Sequence, residues 1–129
     1  MISRILGALC TFALAMLAPA AIVFAQSGDE SLSRNLTPAE LFSLANDARK
    51  RRQFDVAEKV YRALAEHPQI DLRTEARFRL ALMLADDVAR PVDAAVLLRM
   101  ILDEQPDASR VRIELARIQV MLGNYEAAG

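Results

Sequence analysis

The side chains in this sequence that could carry covalent or metal chemistry are few. Cys10 is its one thiol and His67 its one imidazole. Nucleophilic catalysis needs a thiol or hydroxyl beside a base, and a transition metal needs several nitrogen or sulfur donors at ligand spacing. Cys10 stands inside an apolar N-terminal run, and His67, next to Pro68, has no second donor near it in sequence. Asp86-Asp87 could meet a hard cation, but no third carboxylate lies close by. Glu75 and Glu114 could share one surface, yet paired carboxylates do acid–base work only in a closed pocket. The expectation is therefore a protein that is not an enzyme, with no catalytic residues, no metal site and no cofactor. Arg49-Lys50-Arg51-Arg52 is the densest run of charge. Cations are favoured at the negative end of a helix dipole, which explains the run without a nucleic-acid partner. Across the chain 16 Lys and Arg stand against 17 Asp and Glu, so no basic footprint for nucleic acid is present.

The elements that position these groups begin after a leader. Residues 1–25 have the pattern of a secretory signal peptide: Arg4, an apolar run from Ile5 to Phe24, and Val23-Phe24-Ala25 before a polar stretch. Cleavage there would remove Cys10 and leave a chain without thiols, hence without disulfides. No later apolar run is long enough to span a bilayer, so no transmembrane helix is expected after signal cleavage. Residues 26–36 are rich in Ser, Asn, Asp and Gly and are expected to form a linker.

From Thr37 onward the apolar residues recur at helical spacing. Thr37-Pro38-Ala39-Glu40 predicts a capping box with proline in the first turn. Leu41, Leu44, Ala45 and Ala48 form the apolar set of this first helix. A turn around Gln53 leads to a second, from Asp55 to about Glu66, with Val56, Ala57, Val60, Tyr61, Leu64 and Ala65 on one face; Pro68 enforces its stop. Asp71 is the expected cap of a third helix ending near Ala85. Pro91 opens a fourth, Pro106 stops it, and Asp107 or Ser109 caps a fifth. Gly123-Asn124 predicts a turn after Leu122, with Asn124 capping a sixth helix that has barely begun at Gly129. No strand signal is present.

Aligning the helix pairs exposes a repeat. Phe54-Asp55-Val56-Ala57, Val92-Asp93-Ala94-Ala95 and Tyr125-Glu126-Ala127-Ala128 match in type, as do Leu44-Ala45, Leu80-Ala81 and Leu115-Ala116. The small residues Ala45, Ala57, Ala81, Ala95, Ala116 and Ala128 allow backbones to approach closely. This pattern resembles the tetratricopeptide repeat, a helix-turn-helix unit. The resemblance implies an all-α fold of tetratricopeptide-like repeats stacked as a short right-handed solenoid, with units at about 37–69, 70–106 and a truncated 107–129. More narrowly, the leader, the linker and the stretches Ala-Ala-Val-Leu-Leu-Arg-Met-Ile-Leu-Asp-Glu-Gln-Pro (94–106) and Arg-Val-Arg-Ile-Glu-Leu-Ala-Arg (110–117) resemble the N-terminal periplasmic repeats of the surface lipoprotein assembly modifier family. In that family an outer-membrane β-barrel follows the repeats and the whole helps deliver lipoproteins to the cell surface.

Stacked helix pairs line a groove with their first helices. By this alignment the groove residues are Phe42, Asn46, Arg49 and Lys50, then Glu75, Phe78, Leu82 and Asp86, then Arg110, Ile113, Arg117 and Val120. Apolar positions flanked by cations suit a protein or peptide ligand with a carboxylate. Chaperone-binding tetratricopeptide domains clamp a C-terminal carboxylate at five positions. Only Asn46 and Arg110 match that set, with Phe42, Arg79 and Glu114 in the other places, so that ligand is not implied. The truncated third unit predicts an exposed apolar patch of Val111, Leu115, Ile118 and Leu122, and with it self-association. The resulting expectation is an exported, periplasmic interaction module, the front part of an outer-membrane-associated factor. Two other readings compete with it: an independent periplasmic scaffold, and a regulatory repeat domain of a longer enzyme.

Overall fold

The computed structural model describes residues 36–128, with side chains to Asn124; the expected leader, residues 1–25, and residues 26–35 of the expected linker lie outside the described residues. The chain divides into two units, Met1–Leu36 and Thr37–Gly129. Among the described residues the second unit is wholly helical: α1 Pro38–Lys50, α2 Phe54–Leu64, α3 Ile70–Asp86, α4 Pro91–Glu104 and α5 Ser109–Ala128. Each helix packs mainly on the next in chain order, which is the connectivity of stacked hairpins.

The start of α1 follows from its sequence. The Thr37 amide donates to Glu40 Oε2 at 2.7 Å, and the Glu40 amide donates to Thr37 Oγ1 at 3.3 Å, so two orphan donors are satisfied reciprocally. The end of α1 is a Schellman turn. The Gln53 amide reaches back to the Ala48 carbonyl at 2.8 Å and the Arg52 amide to that of Arg49 at 3.0 Å. Arg52 takes the left-handed conformation that glycine usually supplies there, with φ 62°. Its guanidinium lies 5.7 Å from the Phe54 ring centre. Ala89 is left-handed too, in the corresponding turn of the second hairpin.

Three expected features change. Asp71 does not cap α3; the cap is Gln69 without a side-chain bond, and Asp71 sits in the first turn, where its charge still suits the dipole. His67, left without a role by the sequence, has a local one: its Nδ1 accepts the Gln69 amide at 3.1 Å and holds the Pro68 turn. The Gly123-Asn124 turn does not form, and α5 runs unbroken to Ala128. A turn gives up helical hydrogen bonds and is rewarded only when a following helix packs. Among the described residues no following helix packs there, so the helical bonds are kept.

The core runs through both hairpins and along one side of α5. Ala45, Ala57, Ala81 and Ala95 are buried where helices approach, and Tyr61, Leu80, Met83, Leu84, Leu98 and Ile101 fill the space between. The sequence placed Leu44 and Val56 on buried faces, but both are about half exposed. The equivalent of Leu44 in the second repeat, Leu80, is buried, because α2 stands in front of α3 and no helix among the described residues stands in front of α1 in the same way. On α5, Val111 and Ile118 are 5% and 0% exposed, and Leu115 and Leu122 pack against the same core. The predicted exposed patch is therefore covered. The reason is that this stripe of α5 packs onto the preceding hairpin rather than waiting for a sixth helix. Among the described side chains of α5 the large exposed apolar ones are Ile113 and Val120, at 71% and 64%. Ala116 is also exposed, unlike Ala45 and Ala81, since no second helix among the described residues covers it. No described helix is long and apolar enough to cross a membrane.

Candidate functional site

The first helices α1, α3 and α5 carry the residues picked out by the repeat. Phe42 and Phe78 occupy the same place in successive repeats, as do Leu44-Ala45 and Leu80-Ala81, and Ile113 takes the third. The structure treats these three positions as rungs. The Arg79 guanidinium lies 5.0 Å from the Phe42 ring centre, and the Arg110 guanidinium lies 4.2 Å from that of Phe78. Each ring is thus capped by a cation from α3 or α5, an arrangement favoured by the ring quadrupole. The third rung, Ile113, has no such cover among the described residues. Phe78 is only 4% exposed and Leu82 packs against the core, so neither opens a pocket to a ligand. The alternation of ring and cation was present in the sequence, but the cross-repeat stacking was not predicted from it.

The cations expected to grip a ligand are mostly occupied. Arg49 Nε on α1 donates to Asp87 Oδ2 at 2.5 Å. Arg117 Nη2 on α5 donates to Asp86 Oδ1 at 2.8 Å, and Arg117 Nε to Glu114 Oε1 at 2.6 Å. The adjacent acids at the end of α3 therefore tie α3 to the first helix on either side of it. Arg79 Nε is held by Glu75 Oε1 on the same helix at 2.6 Å. The bond to Glu114 raises the guanidinium's proton affinity most; burial opposes it, and the bond to Asp86 adds to the rise. Lys50 stays largely exposed, 3.9 Å from Asp47. Arg110 has no carboxylate partner among the described residues; it rests on Phe78 and is otherwise open.

Beneath this surface Tyr61 of α2 is fully buried, and its hydroxyl donates to Asn46 Oδ1 at 2.5 Å. Burial pushes the phenol above its ordinary value, and Glu75 and Asp87 add to that while Arg49 and Arg79 oppose it. Tyr61 thus fixes Asn46 from below. Asn46, Arg49, Lys50 and Asp87 together rim a shallow open depression. Sequence reasoning gave Tyr61 only a core role and missed Asp87, because the bonds of both residues span helices whose relative rotation no local pattern sets. Among the described residues no group of three or more His, Cys, Asp and Glu side chains converges as metal donors. What this surface can do is bind: it offers the open Arg110 guanidinium, exposed helix faces and polar groups already held in place.

A family model described as tetratricopeptide repeat matches residues 88–129, the stretch that holds α4 and α5. No curated protein and no solved structure matches the chain. With the five-helix stack, the match makes this a fold of tetratricopeptide-like helical repeats. It supports a role as a protein–protein interaction module.

Proposed function

We propose that this chain is an exported protein-binding module, the N-terminal periplasmic repeat region of an outer-membrane factor for surface delivery of lipoproteins. The first-helix surface takes a protein segment bearing a carboxylate. The observation that carries the binding part is Arg110. Among the described residues, the guanidiniums of Arg49, Arg79 and Arg117 on that surface are each held by the chain's own carboxylates, while Arg110 is held only by the Phe78 ring. A ligand carboxylate meeting Arg110 displaces no internal ion pair, and the stacked ring keeps the fork oriented. The export part rests on the leader pattern of residues 1–25. The lipoprotein part rests on the family resemblance of residues 94–106 and 110–117.

The binding test is a titration of the full chain with phage-selected octapeptides rich in Glu and Leu. R110E is expected to weaken binding by about tenfold or more, whereas reversing Arg51 and Arg52 together leaves it within about twofold. Equal losses would remove Arg110 from the site. The export test is an alkaline phosphatase fused after Gly129; lack of phosphatase activity in intact cells sinks the leader assignment.

The second reading is an independent periplasmic scaffold. It is favoured by the fact that both core clusters lie within Thr37–Gly129 and need no barrel. Intact mass from the envelope fraction of the native cells separates the two. A species much heavier than the 14.3 kDa chain supports the barrel-linked factor, and a species spanning residues 26–129 supports the scaffold.

A further inference from the structure

The shallow depression where the ends of α1 and α3 meet is lined by Asn46, Arg49, Lys50 and Asp87, three donors around one acid. All four belong to the two complete hairpins. Asn46 is held in a set orientation. Its Oδ1 accepts from the wholly buried Tyr61 hydroxyl, which leaves the side-chain NH2 to face the depression, without a partner among the described residues. Arg49 donates to Asp87 Oδ2 through Nε alone, at 2.5 Å, so Nη1 and Nη2 are unbonded among the described residues. Lys50 Nζ stands 3.9 Å from Asp47, too far for a hydrogen bond. The acid is the odd member of the set. Asp87 is the C-cap of α3, where the helix dipole disfavours a carboxylate. Both side chains of its pair with Arg49 are 29% exposed, and pairs this open hold weakly.

We propose that this depression is a second carboxylate seat on the protein-binding surface, and that Asp87 is its built-in competitor. The group it takes is an acidic side chain, Asp or Glu, of a bound protein segment. Such a carboxylate can meet the Arg49 fork with two parallel bonds and add the Asn46 amide and the Lys50 ammonium, where Asp87 makes a single bond. Two carboxylates on one guanidinium repel, so the incoming group releases Asp87. Asp87 thus acts as an autoinhibitory contact. Arg110 is open in the resting chain, whereas the seat at Arg49 opens by exchange. Release of Asp87 also undoes the ion pair that ties α1 to the end of α3, so occupation of the seat is felt by both hairpins. The inference rests on the reading of the first-helix surface as a protein-binding one, but on residues other than Arg110.

The test is fluorescence anisotropy of a rhodamine-labelled, end-blocked peptide, Glu-Glu-Leu-Glu-Glu, titrated with the full chain in dodecyl maltoside, with far-UV circular dichroism to verify that each variant is folded. D87N keeps the shape of the side chain and removes its charge; it is expected to tighten binding about threefold to tenfold. D103N, at an exposed position on α4, makes the same change in net charge and is expected to stay within about twofold of wild type. R49Q added to D87N is expected to abolish the gain. K50Q alters a side chain that is 79% exposed, leaves Asp87 in place, and is expected to weaken wild-type binding about threefold. Binding by D87N no tighter than by D103N overturns the proposal, as does a gain that survives R49Q, or K50Q equal to wild type. The same comparison is repeated with R110E in both the wild-type and the D87N chains. A D87N gain that persists there, while R110E itself weakens nothing, keeps the seat and removes Arg110; a loss with R110E but no gain with D87N keeps Arg110 and overturns the seat.

Discussion

Replacing Ile118 by alanine tests which side of α5 holds the helix to the stack. Ile118 is wholly buried in the main core cluster, and α5 packs chiefly on α4. The substitution deletes three carbon groups at about 0.8 kcal/mol each, or about 2.4 kcal/mol, and the cavity left behind raises this toward ~3 kcal/mol. Because α5 ends the described stack it can shift to fill part of that space, so the value stays in the lower half of the ~2–5 kcal/mol range for such changes. The folded unit is Thr37–Gly129, a size at which each kcal/mol moves Tm by about 4–8 °C, so a loss of roughly 10–20 °C is expected if α5 unfolds with the rest. Ile113→Ala on the opposite side of the same helix is the control. Ile113 is 71% exposed, and its truncation is expected to stay within about 0.5 kcal/mol. Thermal denaturation followed by circular dichroism reads the global effect, and amide hydrogen exchange over residues 109–122 reads local release of α5. A Tm change for I118A no larger than that for I113A, with unchanged α5 protection, would refute the placement of α5.

Tyr61→Phe removes the donor to Asn46 Oδ1 in a buried setting and is expected to cost about 1–1.5 kcal/mol, measured by urea denaturation with an unchanged m-value. A double-mutant cycle on Arg117 and Asp86, both about two-fifths exposed, is expected to yield only about 0.5 kcal/mol, fading in high salt. Stability is expected to fall on acidification. The Arg73 bond, helped by Arg77, holds the Glu104 carboxyl below its ordinary value, and at Glu58 burial pushes the carboxyl up but the bonds from Arg62 and Arg90 outweigh it. Carboxyls depressed in the folded state stabilise above their unfolded pKa of about 4.3, and that contribution is lost as pH drops through the folded values. Acid titration of E104Q should therefore show a shallower loss than wild type; an identical slope would remove Glu104 from the account.

The helices, their starts at Thr37 and Pro91, the stops at Pro68 and Pro106, and the buried alanines at 45, 57, 81 and 95 were legible because each rests on neighbours within one or two turns. Repetition then fixed the hairpins, since the same spacing has one economical packing. Resemblance added a family of folds, to which the match over residues 88–129 agrees at the level of the repeat. What stayed hidden depends on how far one helix is rotated against another. Arg49 finds Asp87 across 38 residues, and Arg117 finds Asp86 across 31, only because α1 and α5 both present those side chains to the end of α3. The same rotation buries Val111 and Ile118 and exposes Ile113 and Val120, reversing which apolar stripe of α5 is open. It also decides that Phe78 lies under Arg110 instead of lining a pocket. Sequence alone therefore determined the elements and their order, because hydrogen bonding and periodicity are local. The tertiary structure decided which charges are already engaged and which faces are still free, because those follow from contacts between residues far apart in the chain.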